Sequence, residues 1–433
     1  IEARPNISTT WTITKGTLIG KQILLGSGPA TFGFNFNHFK PLALNQTAFW
    51  SSTFNQGVSF AATLLADLGV LVILAFLFLF FAFSRQGLKD AIIFTGVAYL
   101  SINLFIYPAF FSQLIFIFLG MGLLAAGENK YCEMNFYTGN KLQKIKGLIT
   151  FLGTILALVV VLFMFYLTGQ KYIAAIYYQK GLMGSSLDES FNNLNRAVVL
   201  DPQSDSYRRA LSNALISKAG EISRTPASSE NAQNFASQLQ NTITLAVNTA
   251  IQATIINPLD VLNWFNLGNT YENIIPTKDA EVFAEKNYNK AMSLDPQNPQ
   301  GPASLGRMWI VSADYTLQKD PIWQEKLDKA RSILEKSIAL KSDYALAHFL
   351  VAQIYIREGN LNGVIKKVED LVSFNSNDSG LLFQLGVLYY RNNQISQAQS
   401  VFERAVGLSQ DYSNARYFLG LIYDANGQTQ KAI

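Results

Sequence analysis

The residues of this chain that could bind an anion are concentrated in positions 1–57, which we call the N-terminal loop. Its cationic side chains are Arg4, Lys15, Lys21 and Lys40, and it contains a single acid. A guanidinium can donate two parallel hydrogen bonds to phosphate oxygens, whereas lysine supplies a point charge. The pattern predicts contact with an anionic lipid-linked ligand. Attraction to the phosphates of lipid head groups explains the charges equally well.

Asp67 is a second residue that could do chemistry. It lies within the apolar stretch 58–83, roughly three helical turns from the start of that stretch. An ionised carboxyl group at such a depth in a membrane is costly unless it faces a polar cavity or another helix. We therefore treat Asp67 as a candidate functional residue, with a helix cap or a structural hydrogen bond as the alternative interpretation.

Other catalytic signals are sparse. The chain has two histidines and one cysteine, which excludes a zinc-ligand cluster, a Cys-His pair and an intrachain disulfide. It contains no phosphate-binding glycine loop and no dinucleotide-binding glycine pattern, so we expect no metal and no cofactor. The histidine of the loop, His38, lies between aromatic residues and fits a surface position better than a catalytic one. The net charge of +4 is modest and dispersed, so we expect no nucleic-acid partner.

Four apolar stretches follow the N-terminal loop, at 58–83, 88–107, 109–127 and 147–168. The last, Gly147–Thr168, carries no charge and is long enough to cross a bilayer core as a helix. We therefore expect four transmembrane helices, with Pro108 at a tight turn between the second and the third.

Basic residues beside these stretches predict their orientation. The loop from Glu128 to Lys146 carries four lysines, and the loop before the second stretch carries Arg85 and Lys89. Loops rich in lysine and arginine stay in the cytoplasm, so both are expected there. The N-terminal loop and everything after about Gln170 are then extracytoplasmic. The expected location is a bacterial cytoplasmic (inner) membrane, crossed several times.

Part of the N-terminal loop is expected to lie on the membrane surface. The segment Ser8–Ile23 could form an interfacial helix with Trp11 and Ile13 on its apolar face. The ammonium groups of Lys15 and Lys21 would then reach the lipid phosphates. Membrane lipid is thus an expected partner of this segment.

Two stretches resemble the O-antigen ligase and polymerase family. These are LLGSGPATF at Leu24–Phe32 and LLADLGVLVIL at Leu64–Leu74, with the pair Phe49-Trp50 between them. Members of that family are multi-pass membrane glycosyltransferases that use polyprenyl-diphosphate-linked glycans. The resemblance covers residues 1 to about 85, and the following stretches fit it by topology.

The resemblance assigns roles to several residues. It implies that Arg4 contacts the diphosphate, that Gly26 and Gly28 form the substrate-binding turn, and that Asp67 is the acidic residue of the following helix. A histidine-containing pair of the family corresponds to Val58-Ser59, so the histidine is absent here. The assignment of catalysis therefore depends on Arg4 and Asp67.

The second half of the chain is periodic. The trio Phe349, Ala352 and Tyr355 recurs at a constant interval, first as Phe383, Gly386 and Tyr389 and then as Tyr417, Gly420 and Tyr423. In addition, LNRAVVLDP at Leu194–Pro202 returns as YNKAMSLDP at Tyr288–Pro296. The interval predicts pairs of helices that cross at a small residue, with most aromatic side chains in the core.

This part resembles the tetratricopeptide repeat family, whose units are about 34 residues long. The approximate units are 171–204, 240–259, 260–299, 300–343, 344–377, 378–411 and 412–433. The expected fold is therefore all-α, with transmembrane helices followed by a repeat solenoid over residues 169–433.

Two functions remain open at this stage. The first is a membrane glycosyltransferase whose repeats bind the acceptor or a partner protein in their concave groove. The second is a non-catalytic, membrane-anchored repeat scaffold of the cell envelope, which the missing histidine favours. Because the chain starts at Ile1 and stops within a repeat, we expect a longer protein, with six to eight further upstream spans for the enzyme.

Overall fold

The computed structural model describes residues 4–87, 91–108, 111–126, 141–224 and 232–432. Within these ranges the regular structure is helical and contains no strand. The chain divides into two units. Unit 1 comprises the residues up to Pro41 together with Ser52–Asn266, and unit 2 comprises Leu42–Ser51 together with Leu267–Ile433.

Unit 1 begins with three short helices, α1 (Ile7–Thr17), α2 (Gln22–Leu25) and α3 (Phe32–Phe39). The side chain of Asn6 caps α1, because its oxygen accepts from the backbone N–H of Thr9 at 2.7 Å. Threonines form much of the buried face of α1, and the hydroxyl groups of Thr14 and Thr17 donate to backbone carbonyls one turn earlier. These hydroxyl groups are therefore paired although they are buried.

The side chains that α1 buries agree only in part with the sequence-based expectation. Ile13 is fully buried, although it was predicted to lie on the membrane-facing side. Trp11 and Ile19 are mostly exposed, as predicted for that side. Ile13 is buried because α1 packs against α3 and the long helix Phe60–Gly87 through the face that carries its threonines. The apolar pattern of the sequence does not reveal that face.

Four apolar helices follow: α4 (Phe60–Gly87), α5 (Ala91–Ile106), α6 (Phe111–Ala126) and α7 (Lys141–Leu182). Val97, Leu104, Ile117 and Met121 form a buried core between α5 and α6. In the described part of the chain, the segments Phe60–Leu79 and Phe151–Leu182 are long and apolar enough to cross a membrane. The helices α5 and α6 are apolar but shorter.

Helix α7 joins the apolar region to the first repeat without a break. It runs for 42 residues, whereas the sequence predicts an apolar stretch that ends at Thr168 and repeats that begin near Lys171. Residues 151–169 of this helix are exposed. The end of α7 then packs on the next helix at Gly181, where a Cβ atom would lie 2.6 Å from Leu194 Cγ.

Some residues used for the orientation lie outside the described ranges. These are 88–90, with Lys89, and 127–140, with Lys130 and Cys132. The orientation that these residues predict stays a prediction.

Unit 1 continues with α8 (Leu187–Leu200), α9 (Asp205–Arg224) and α10 (Ala232–Ile256). Leu194, Leu211, Leu215 and Ala246 form their common core. Helix α8 starts at a capping serine and carries two acids in its first turn, both of which favour a helix start. Helix α11 (Val261–Glu272) begins in unit 1 and ends in unit 2.

Unit 2 is a stack of helix pairs, preceded by a short 3₁₀ helix at Leu42–Gln46. Its helices after α11 are α12 (Ala280–Leu294), α13 (Gln300–Asp314), α14 (Pro321–Leu340), α15 (Ala345–Arg357), α16 (Leu361–Phe374), α17 (Ser379–Arg391), α18 (Ile395–Leu408), α19 (Ser413–Ala425) and α20 (Thr429–Ala432). The pairs cross at small residues: a Cβ atom on Gly386 would lie 2.5 Å from Phe402 Cε1, and one on Gly306 would lie 2.6 Å from Leu334 Cγ.

A repeated polar contact links neighbouring pairs. The hydroxyl group of Tyr389 donates to Glu369, and the same bond recurs one repeat later, where Tyr423 donates to Glu403 at 2.8 Å. Each bond joins the second helix of one pair to the first helix of the next. Burial and the bond to the carboxylate of Glu369 raise the pKa of Tyr389, so the phenol keeps its proton and remains a donor.

Candidate functional site

The first candidate site lies where the N-terminal loop crosses α4. Gly69 interrupts that helix with φ 72° and ψ −168°. The backbone at the end of α2 fits into the interruption, since a Cβ atom on Gly69 would lie 2.4 Å from the Leu24 carbonyl carbon. A Cβ atom on Gly26 would lie 2.2 Å from the Asp67 carbonyl oxygen. Both positions therefore require glycine.

The interruption leaves carbonyl groups of α4 without their usual helical partners, and the loop supplies donors instead. The backbone N–H of Gly28 donates to the Asp67 carbonyl at 2.8 Å. The backbone N–H of Ser27 donates to the Ala66 carbonyl at 3.2 Å. Buried backbone groups need such partners, so the loop and the broken helix stabilise one another.

The buried carboxyl group of Asp67 faces the start of α3. The hydroxyl group of Thr31 donates to it at 3.3 Å. The first amides of a helix lack intrahelical partners, and a nearby acid is favourable there. The position of Asp67 at the start of α3 fits the alternative interpretation of a structural hydrogen bond.

Arg4 is placed at a different point. Its Nη1 donates to the Val58 carbonyl at 3.2 Å, and its guanidinium lies 4.9 Å from the ring centroid of Tyr107. These contacts tie the start of the described chain to the residues beside α4 and α5. The structure thus brings Gly26, Gly28 and Asp67 together and gives Arg4 other partners.

The remaining cationic candidates divide by exposure. Lys15 and Lys21 are exposed, whereas Lys40 is buried. His38 is exposed and packs edge-on against Phe39, with ring centroids 4.6 Å apart. Among the described residues, no group of three histidine, cysteine or acidic side chains could hold a metal ion.

A second candidate site lies on unit 2, on the first helices of its pairs. In α15, Leu346, Phe349 and Ile356 are exposed, the last two by 53% and 62%. In α19, Tyr417 and Leu421 are exposed, the former by 65%. We call these five residues the exposed stripe. Scattered apolar residues are normal on a surface, but these recur along one face of equivalent helices.

The stripe contains exceptions to the expectation that most repeat aromatics belong to the core. Phe349 and Tyr417 occupy the same repeat position two repeats apart, and both are exposed. Their equivalent in the intervening pair, Phe383, is only partly buried and packs against Tyr412 and Phe418. One sequence signal could have revealed the stripe: α15 is apolar nearly all round, although a helix that packs on one side needs a single apolar face.

Comparisons with known proteins agree with the helix pairs. Residues 383–433 match the family model of the tetratricopeptide repeat. No curated protein matches the chain. The C-terminal part of the chain is therefore a tetratricopeptide repeat region, and the constant interval between equivalent residues extends the same pattern towards the N-terminus.

Several solved structures are similar. MamA is 18% identical with a TM-score of 0.28, covering 37% of this chain and 87% of that chain. YrrB, a TPR protein with an unusual peptide-binding site, is 15% identical with a TM-score of 0.29, covering 51% and 95%. A tetratricopeptide repeat protein from Parabacteroides merdae is 14% identical with a TM-score of 0.34, covering 60% and 90%.

Proposed function

We propose that this protein is a membrane-anchored repeat protein whose unit 2 binds a segment of another protein along the exposed stripe. The observation that carries the proposal is the repeated exposure of Phe349 and Tyr417 on equivalent helices. Aromatic side chains are enriched in the buried centres of protein interfaces, where a few residues supply most of the binding free energy. The partner segment should present apolar side chains, because Leu346, Ile356 and Leu421 supply the rest of the surface.

The membrane anchor of the proposal consists of α4 and α7. Both contain segments of sufficient length and apolarity, and α7 exposes apolar side chains on every side from Leu148 to Leu167. A helix satisfies its own backbone hydrogen bonds, so it can lie in lipid with such a surface. With α5 and α6 as a further pair of spans, the protein is multi-pass. We place the repeats outside a bacterial inner membrane, in line with the lysine-rich loops.

A photo-crosslinking experiment tests the interface. We expect a benzoylphenylalanine at position 349 or 417 of the full-length protein to crosslink in cells to the same protein partner. The same residue at Lys366, an exposed position on the second helix α16, is the matched control and should give no such adduct. Identical adducts at all three positions, or none at 349 and 417, would contradict the assignment.

The glycosyltransferase function is the second candidate, and one observation favours it. The two stretches that resemble the O-antigen ligase and polymerase family, Leu24–Phe32 and Leu64–Leu74, contact each other at Gly26 and Gly69. Arg4 is held by a carbonyl and an aromatic ring in the same unit. In this interpretation Arg4 and the nearby lysines bind a polyprenyl-diphosphate-linked glycan, while unit 2 binds the acceptor.

Arg4→Lys tests this second function. A leaving diphosphate gains negative charge, and stabilising such charge is typically worth about 3–4 kcal/mol per donor in a water-excluded site. A lysine cannot reproduce the two-point contact, so glycan transfer should fall roughly a hundredfold. The exposed Lys366→Gln on α16, outside the N-terminal loop, is the control and should retain transfer. Normal transfer in Arg4→Ala would remove Arg4 from catalysis, and no transfer in the unmodified protein would leave the scaffold function.

A further inference from the structure

A short segment of the N-terminal loop belongs structurally to unit 2. Residues Leu42–Ser51 cluster with the repeats, although both ends of this segment continue into unit 1. The apolar helices α4 to α7 lie in the chain between this segment and the next part of unit 2. Hydrogen bonds from Asn45 and Lys341 hold the segment against the repeats.

Asn45 makes the central contact. Its side chain is fully buried, and its amide nitrogen donates to the Gln297 carbonyl at 2.7 Å and to the Leu340 carbonyl at 3.0 Å. Leu340 is the last residue of α14, and Gln297 lies in the turn after α12. A carbonyl group at a helix end, such as that of Leu340, lacks an intrahelical partner, and a side-chain amide with two hydrogens can satisfy it together with the turn carbonyl of Gln297.

Lys341 and two aromatic residues complete the contact. Lys341 Nζ donates to the Asn45 backbone carbonyl at 3.0 Å and pairs with Asp343 at 2.7 Å. The same ammonium group lies 5.7 Å from the ring centroid of Trp50, which packs edge-on against Tyr344 at 5.3 Å. Lys341 is 8% exposed, and a buried ammonium group is retained only where such partners surround it.

We propose that residues 42–51 are a strap, a segment of the N-terminal loop that unit 2 binds at the ends of α12 and α14. The strap holds the repeat unit on the side of the membrane that the loop occupies. An even number of membrane crossings must therefore separate residue 51 from residue 267. Crossing by α4 and α7 alone, or by these together with α5 and α6, satisfies this condition.

Hydrogen exchange on the full-length protein in lipid nanodiscs tests the strap. In Asn45→Asp a carboxylate oxygen would face two carbonyl oxygens, and in Lys341→Met the ammonium donor is lost. In each variant the amide hydrogens of residues 42–51 should exchange at least tenfold faster than in the unmodified protein. Gln46→Ala and Lys336→Met change exposed neighbours and are the matched controls, in which exchange should stay within about twofold.

Two results would overturn the strap. One is rapid exchange of residues 42–51 in the unmodified protein, and the other is equal exchange in the Asn45 variant and its control. Sidedness provides an independent measurement in sealed vesicles, with cysteines at the exposed positions Gln46 and Asn414 in a Cys132→Ser background. An impermeant thiol reagent should label both from the same face. Labelling from opposite faces would exclude the strap, whatever function unit 2 has.

Discussion

Gly69→Ala is expected to abolish the crossing between the N-terminal loop and α4. Backbone angles near φ 72° and ψ −168° are essentially restricted to glycine and cost other residues about 1–3 kcal/mol. The new Cβ atom would also lie 2.4 Å from the carbonyl carbon of Leu24 and 2.6 Å from the backbone nitrogen of Gly26. Backbone atoms cannot rotate away as a flexible side chain can, so the strain and the clash add to more than about 3 kcal/mol.

The measurement is thermal unfolding of the detergent-solubilised full-length protein. A loss of this size should lower the melting temperature by roughly 6–12 °C, on the scale of a domain of about 150–250 residues. Gly96→Ala on α5 is the matched control, because no atom lies within 4 Å of its Cβ position and that site is exposed. If Gly69→Ala and Gly96→Ala had the same melting temperature, the interruption of α4 would be absent in solution.

The same crossing shows what the sequence could and could not predict about the first candidate site. The stretches around Gly26 and Asp67 were singled out together by resemblance, and the structure places them in contact. The hydrogen bond from Thr31 to Asp67 was not predictable, because it joins residues 36 positions apart whose spacing fits no local capping pattern. The resemblance therefore identified the residues but did not decide between a catalytic and a structural carboxyl group.

The repeats were more predictable than the N-terminal loop for a physical reason. Each helix pair buries its residues mainly against its neighbours, so the repeat period carries most of the packing information. Gly386 and Tyr389 took the positions that the period indicates, at a helix crossing and between neighbouring pairs. The strap is the opposite case. Asn45 contacts residues 252 and 295 positions away, and no local pattern encodes such a distance.

The chain also shows why an apolar pattern is ambiguous at the surface of a repeat. Phe349 and Phe402 are both aromatic residues within the periodic part, yet Phe349 is half exposed and Phe402 is fully buried. Apolar periodicity reports the face that packs, and it cannot separate that face from a second apolar face that awaits a partner. The exposed stripe can therefore be identified only from the positions of the helices in the structure.

Two alanine substitutions in neighbouring helices of unit 2 are expected to have opposite effects. At Gly386 a Cβ atom would lie 2.5 Å from Phe402 Cε1, and the Phe402 ring is held by Phe418, which stacks on it at 5.2 Å. Overpacking of this kind costs about 1–3 kcal/mol, which exceeds the helix-propensity gain of at most about 1 kcal/mol. At Gly407, on α18, no atom lies within 4 Å of the Cβ position, so only the gain remains.

Hydrogen exchange in α17 and α18 of the full-length protein measures this difference locally, since repeats open with their neighbours. Exchange should become faster in Gly386→Ala, by up to about thirtyfold for a net loss of about 2 kcal/mol, and slower in Gly407→Ala. Gly386→Leu should be more severe than Gly386→Ala, because its larger side chain meets the same fixed ring. Equal exchange in Gly386→Ala and Gly407→Ala would mean that the helices do not cross at Gly386 and that the repeat register is wrong.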